Sequence, residues 1–108
     1  TGEICAAGIS IEFTGKKNSL FCTPPEVKRT FHGDQWVTAE IEVRDGNITH
    51  FVNGEKILAF NNPQCDTTNA IVKKMFKAGD LAIVDGYISL QSNSHPMDFK
   101  NIRIMEYK

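Results

Sequence analysis

The sequence predicts an all-β protein, an antiparallel β-sandwich carrying one short helix near residues 67–78. Three observations predict it. Period-two alternation recurs in short runs, clearest where Val37, Ala39, Ile41 and Val43 interleave with Thr38, Glu40, Glu42 and Arg44. Asp45-Gly46 and Asn53-Gly54 are strong hairpin signals, because both dipeptides accept the positive φ that tight turns require. Only Asp66 to Gly79 carries helical spacing and helical end signals. About eight short strands with regular turns and one helix describe a sandwich. With 108 residues the chain is a single domain, residues 1–108.

Taken in order, Ile9, Ile11 and Phe13 alternate with Ser10 and Glu12, so the first strand has an apolar and a polar face, and Glu12 points away from the core. Gly15-Lys16-Lys17-Asn18 reads as a turn, followed by a returning strand to Leu20. Phe21 to Arg29 holds Pro24-Pro25 and is an edge or a crossing loop, since proline offers no ladder donor. Trp36 leads the next strand and is expected to pack against the opposing sheet. Three antiparallel strands then span Trp36 to Phe60. In the middle one, Ile48, His50 and Val52 share a face, with Thr49 and Phe51 on the reverse. His50 among aliphatics reads first as a satisfied, partly buried histidine and second as a ligand contact. The Glu40, Glu42 and Arg44 face is solvated or lines a groove. In the helix, Ile71, Val72, Met75 and Phe76 form the apolar stripe, and Gly79 caps the end.

Composition narrows the function classes. A net charge of −1, with 41% hydrophobic and 23% charged residues, gives no electrostatic reason to expect nucleic acid or an anionic membrane. No apolar run approaches the length of a membrane span. The N-terminus, Thr-Gly-Glu-Ile-Cys, reads as that of a processed or excised chain. Cys5, Cys22 and Cys65 form no zinc-ligand spacing with the histidines, so no metal ligands are assigned. Cys5 and Cys22 flank the predicted hairpin, whose closure brings them together. A bridge there would close a loop of about 18 residues, worth on the order of 3 kcal/mol. The alternative is a pair of reduced, buried cysteines. Cys65 is read as a buried thiol.

The densest set of ligand-competent groups lies near the C-terminal end. In an extended Gly86 to Gln91, Tyr87, Ser89 and Gln91 fall on one side and Ile88 and Leu90 on the other. Ser92-Asn93-Ser94 favours a turn, and Pro96 holds His95 extended at its rim. The chain is expected to return as a strand from Phe99 to Met105, with Ile102 and Ile104 as its buried pair.

His32-Gly-Asp-Gln-Trp36, the strand over Glu40 to Val43, His50-Phe-Val-Asn-Gly54, Gly86-Tyr-Ile-Ser-Leu-Gln91 and Ser94-His-Pro-Met-Asp-Phe-Lys-Asn-Ile102 occur in an order that resembles the 3-keto-disaccharide hydrolase family. The resemblance covers nearly all of the chain from Cys5 onward. It implies a concanavalin A-like jelly roll with one concave sugar-binding face, in an exported bacterial protein, secreted or periplasmic. Members of that family have further strands before the position of Gly2. The resemblance therefore implies a partial jelly roll that needs those strands, or a partner chain, for completion.

The family's chemistry is cleavage of glycosides whose sugar carries a ketone at carbon 3. The ketone acidifies the hydrogen on carbon 2, so a base can remove it and donors can hold the enolate. The glycosidic oxygen then leaves and water adds back. On that reading His95 is the base. Gln91 is the donor, and Glu12 a second acid–base group or an acceptor for sugar hydroxyls. Tyr87, Ser89, Asn93 and His50 are the substrate contacts. No cofactor is assigned, and a divalent metal is the alternative way to hold the developing negative oxygen. The competing function is a non-catalytic, lectin-like carbohydrate-binding module using the same polar groups.

Overall fold

The structure, a computed structural model, describes residues 1–6, 9–13, 16–18, 22–66, 68–75, 82–83, 85–92 and 95–107. Its elements are β1 (Ile4–Cys5), β2 (Ile9–Phe13), β3 (Lys16–Asn18), β4 (Cys22–Thr23), β5 (Ala39–Arg44), β6 (Asn47–Val52), β7 (Glu55–Cys65) and α1 (Ala70–Met75). Five strands form one sheet in the order β3-β2-β7-β6-β5, and β1 pairs with β4 in a second, every pair being antiparallel. Two antiparallel sheets and one short helix are the nearly all-β architecture that the alternation predicts, and they are consistent with a β-sandwich.

The predicted meander is present. Asp45 and Gly46 have φ of 51° and 75°, and Asn53 and Gly54 have 49° and 81°. Positive φ at both central residues is the mark of a type I′ turn, whose twist matches that of the strands it joins. Asn53 also ties the second turn to the start of β5. Its backbone N–H donates to the Thr38 carbonyl at 2.8 Å, and its side-chain oxygen accepts from the Thr38 N–H at 2.9 Å.

The core is built on one face of the large sheet from Ile11, Val52, Ile57, Leu58 and Phe60, with Ile4, Ile9, Phe13, Val27, Phe31, Val37 and Ile48 packed against it. The register between β6 and β7 shifts between His50 and Phe51, beside Ile57. The Ile57 carbonyl accepts backbone bonds from Glu26 and Val27 at 2.8 and 3.3 Å, which lays the segment after Pro25 over the core. Cys5 and Cys22 are cross-strand partners and form a disulfide, as the hairpin arithmetic anticipates.

Several expectations are corrected. Lys16–Asn18 is strand rather than turn, paired with β2 through Ile11 and Asn18, Glu12 and Lys17, and Phe13 and Lys16. Gly15 lies outside the described residues. Of the predicted helix 67–78, Ala70–Met75 is helical and begins after Asn69, whose side-chain oxygen accepts from the N–H groups of Ile71 and Val72; Thr67 and Phe76 to Gly79 lie outside the described residues. Ile71, expected in the apolar stripe, is exposed. Trp36 is 56% exposed rather than buried, and the Lys100 ammonium sits 4.0 Å from its ring centroid.

The largest difference concerns the C-terminal wing. Neither Gly86 to Gln91 nor Phe99 to Met105 is a strand, and Ile102 and Ile104, expected to be buried, are 66% and 78% exposed. Asn101 has a φ of 56°, which breaks the alternation at the start of the return. Side-chain contacts nonetheless tie this segment to β5. Lys100 meets Trp36, while Tyr107 lies under the Arg44 guanidinium, 4.2 Å from it, and donates its hydroxyl to Glu42 at 3.2 Å. Both segments therefore run in the same direction, and among the described residues no backbone hydrogen bond joins them.

Candidate functional site

The residues named from the sequence fall in two places. Tyr87, Ser89, Gln91 and His95 stand on the C-terminal wing, all exposed, with no hydrogen bond or ion pair to another described residue. Asn93 lies outside the described residues. Exposure leaves the polar groups of this wing open to a ligand. Glu12 belongs to the five-stranded sheet. Its carboxylate accepts from the Asn62 side-chain amide at 3.0 Å, and none of the wing residues hydrogen-bonds to it.

His50 is elsewhere again. Its ring is buried beside the core, edge-on to Phe60 with centroids 5.3 Å apart. Nδ1 lies 3.0 Å from the Gly2 carbonyl. A carbonyl can only accept, so Nδ1 carries the hydrogen. These contacts are those of a satisfied core histidine. They hold the N-terminal residues against β6.

The outer face of the large sheet, opposite the core, holds polar groups that the sequence reading did not single out. Register sets Glu12, Asn61, Asn47 and Arg44 in one row across β2, β7, β6 and β5. The side-chain oxygen of Asn61 is buried and has no hydrogen-bond partner among the described residues. Buried polar atoms are nearly always paired, so an unpaired acceptor is a feature to explain. Asn62, with φ of 49°, stands where the pairing of β2 with β7 shifts, and its backbone N–H donates to the Gly46 carbonyl at 3.0 Å. The next row inward is Ala59, Thr49 and Glu42, and beyond it Phe51 stands opposite Glu40. Phe51 is half-buried but is not among the side chains packed on the core. Its position on the Thr49 face is legible from alternation. The unpaired Asn61 oxygen is not, because it depends on which strands flank β7.

A cleft of about 320 Å³ opens on the other face, beside the first hairpin turn, between Val43, Ile48, Pro63 and Ile83. None of the residues predicted to form the site lines it. Among the described residues, no three His, Cys, Asp or Glu side chains are grouped as a metal ligand set. No helix among them is long and apolar enough to cross a membrane.

Neither a curated protein nor a solved structure matches the chain. A family model does, over nearly its whole length. Residues 1–105 match the 3-keto-alpha-glucoside-1,2-lyase-like domain, in agreement with the motifs from His32 to Ile102, and the chain belongs to that family.

Proposed function

We propose that this carbohydrate-active domain cleaves the glycosidic bond of 3-keto glycosides by base-assisted elimination followed by hydration. The observation that carries the reading is the family match over residues 1–105. It is supported by a wing on which Tyr87, Ser89, Gln91 and His95 are exposed rather than locked into the fold.

In this reaction His95 takes the proton from carbon 2, and the electron pair of that C–H bond moves into an enolate whose oxygen, on carbon 3, accepts a hydrogen bond from the Gln91 amide. Collapse of the enolate restores the ketone, forms the carbon 1–carbon 2 double bond and breaks the glycosidic bond. The departing oxygen takes a proton from His95 or Glu12. Water then adds to carbon 1 and a proton returns to carbon 2. Tyr87 supplies a surface for the sugar ring, and Ser89 and Asn93 bind hydroxyls. The family's jelly-roll topology belongs to the same proposal, as does export. The Cys5–Cys22 disulfide supports a secreted or periplasmic location, since such bonds persist in oxidising compartments.

The test is turnover of a 3-keto disaccharide followed by release of the free sugar. Wild type is expected to release it and His95→Ala to lose at least a hundredfold in rate, the usual scale for a general base. Undiminished turnover in His95→Ala would remove His95 from the mechanism. Binding without turnover in the wild type would make the chain a lectin-like module.

A further inference from the structure

β5 is an edge strand, with β6 on one side and no strand among the described residues on the other. The opposite edge, β3, has three residues of which two are lysines, features that discourage further pairing. β5 has six residues and neither lysine nor proline. Beside its open edge runs the segment from Lys100 to Tyr107. Tyr107 meets Glu42 and Arg44, and Lys100 meets Trp36. Lys100 lies seven residues before Tyr107, and Trp36 lies seven before Val43, the residue between Glu42 and Arg44. The segment therefore keeps step with β5 and runs in its direction. Long side chains make these contacts, and among the described residues no backbone hydrogen bond joins the two. In an antiparallel sheet, strands that run the same way are separated by one running against them and lie about 10 Å apart. Long side chains span that distance, so β5 and this segment stand as two strands with room for one between.

We propose that the strand between them is the same segment of a second copy of this chain, so that two copies exchange residues 98–107 across a twofold axis and join their large sheets into one antiparallel sheet. Each segment then lies two strands from its own β5 and next to the other copy's. A twofold perpendicular to the sheet keeps every side chain on its face, so the axis passes through a residue, and the step seen within one chain leaves only the choice of that residue. Charge makes the choice, because opposite charges across a strand pair stabilise it and like charges weaken it. With the axis at Arg103, Glu42 stands opposite the second copy's Lys100 and Arg44 opposite its Asp98. Between the exchanged segments Lys100 faces Glu106 and Ile102 faces Ile104, each twice. Moving the axis back one residue sets Glu42 against Asp98, and moving it forward sets Arg44 against Lys100. The like-charged pair left is Arg103 with its own copy, on the axis. Pairing carries Asn101 from its φ of 56° into the extended range, so the segment becomes strand in the dimer. The contact is edge to edge and leaves the core-side face of β5 open. It concerns assembly and stands apart from the proposed reaction.

The experiment is sedimentation equilibrium of the 108-residue chain at protein concentrations up to about 1 mM. The expected result is a mass that rises with concentration to twice the 12.1 kDa of one chain. Lys100→Glu, which sets like charges against Glu42 and Glu106, is expected to weaken the dimer at least tenfold. Arg103→Thr removes a positive charge from the same segment, yet is expected to tighten the dimer, because it relieves the pair on the axis. Arg103→Cys is expected to give a covalent dimer on mild oxidation, since side chains opposed on the axis are within disulfide reach. Glu26→Cys, exposed on the segment over the core, is expected to give none. All these positions are exposed, and circular dichroism checks that each variant folds. A chain that stays monomeric throughout overturns the proposal, and the place beside β5 then belongs to another polypeptide segment or to none. A dimer that Lys100→Glu leaves unchanged and Arg103→Cys does not capture uses a different interface, which overturns the exchange as well.

Discussion

Three features of its surroundings favour glycine at position 2. Its φ is 87°, its carbonyl accepts from the buried His50 ring at 3.0 Å, and a Cβ at this position would collide with the end of the Ile57 side chain. Gly2→Ala therefore combines a left-handed backbone with overpacking, and is expected to cost about 1–3 kcal/mol, seen as a lower thermal midpoint. His50→Ala removes the donor to that carbonyl and leaves space beside Phe60, at a similar cost of about 1–3 kcal/mol. Because both substitutions undo the same docking, the double variant is expected to lose less than the sum of the two, and strict additivity would refute the coupling. The sequence shows His50 on a face with Ile48 and Val52, and that face is indeed buried. It shows nothing of Gly2, because the partner lies 48 residues away and no local pattern records it.

At the scale of elements, the same contrast separates the meander from the wing. Asp45-Gly46 and Asn53-Gly54 specify their hairpins through φ, a local property, so β5, β6 and the start of β7 are legible residue by residue. Gly86 to Gln91 and Phe99 to Met105 alternate as well as β5 does, yet neither is paired. Alternation records that a segment is able to lie on a sheet, whereas pairing also needs a neighbour, and Asn101 in the left-handed region interrupts the return. The candidate site divides along the same line. The polar groups of the wing are readable from alternation, and the Asn61 row needs the strand order β2-β7-β6. The two-stranded sheet gives its own prediction. β1 and β4 contribute only two residues each, so the Cys5–Cys22 bond carries much of the constraint on the N-terminal segment. The paired replacement Cys5→Ser with Cys22→Ser is expected to lose about 2–4 kcal/mol in denaturant unfolding. Its amides over residues 2–5 are expected to exchange faster than those of β6. Equal protection of the two regions would show that the core alone holds the segment.

For the molecule as a whole, the radius of gyration is 15.3 Å, against about 13 Å for a compact chain of this length. The excess has a visible source. The wing stands away from the core, and the core-side face of the large sheet stays uncovered along β5, where Ile41 and Val43 are 65% and 58% exposed. Ile102 and Ile104 of the C-terminal segment are exposed as well. Aliphatic surface gathered in this way binds apolar dyes and promotes association, unlike single exposed aliphatics scattered over a surface. The chain of 108 residues is accordingly expected to enhance the fluorescence of an anilinonaphthalene sulfonate dye under native conditions. Replacing Ile41 and Val43 together by threonine keeps β-branched side chains on β5 and removes apolar surface. Because both side chains are already in water, the change in unfolding free energy is expected to stay within about 0.5 kcal/mol per site. Dye fluorescence should nonetheless fall at least twofold. If it is unchanged while the double variant keeps its near-ultraviolet circular dichroism, the dye site lies elsewhere and the β5 face is covered in solution. A loss of that dichroism would instead show that these two aliphatics are held by contacts on which the fold depends.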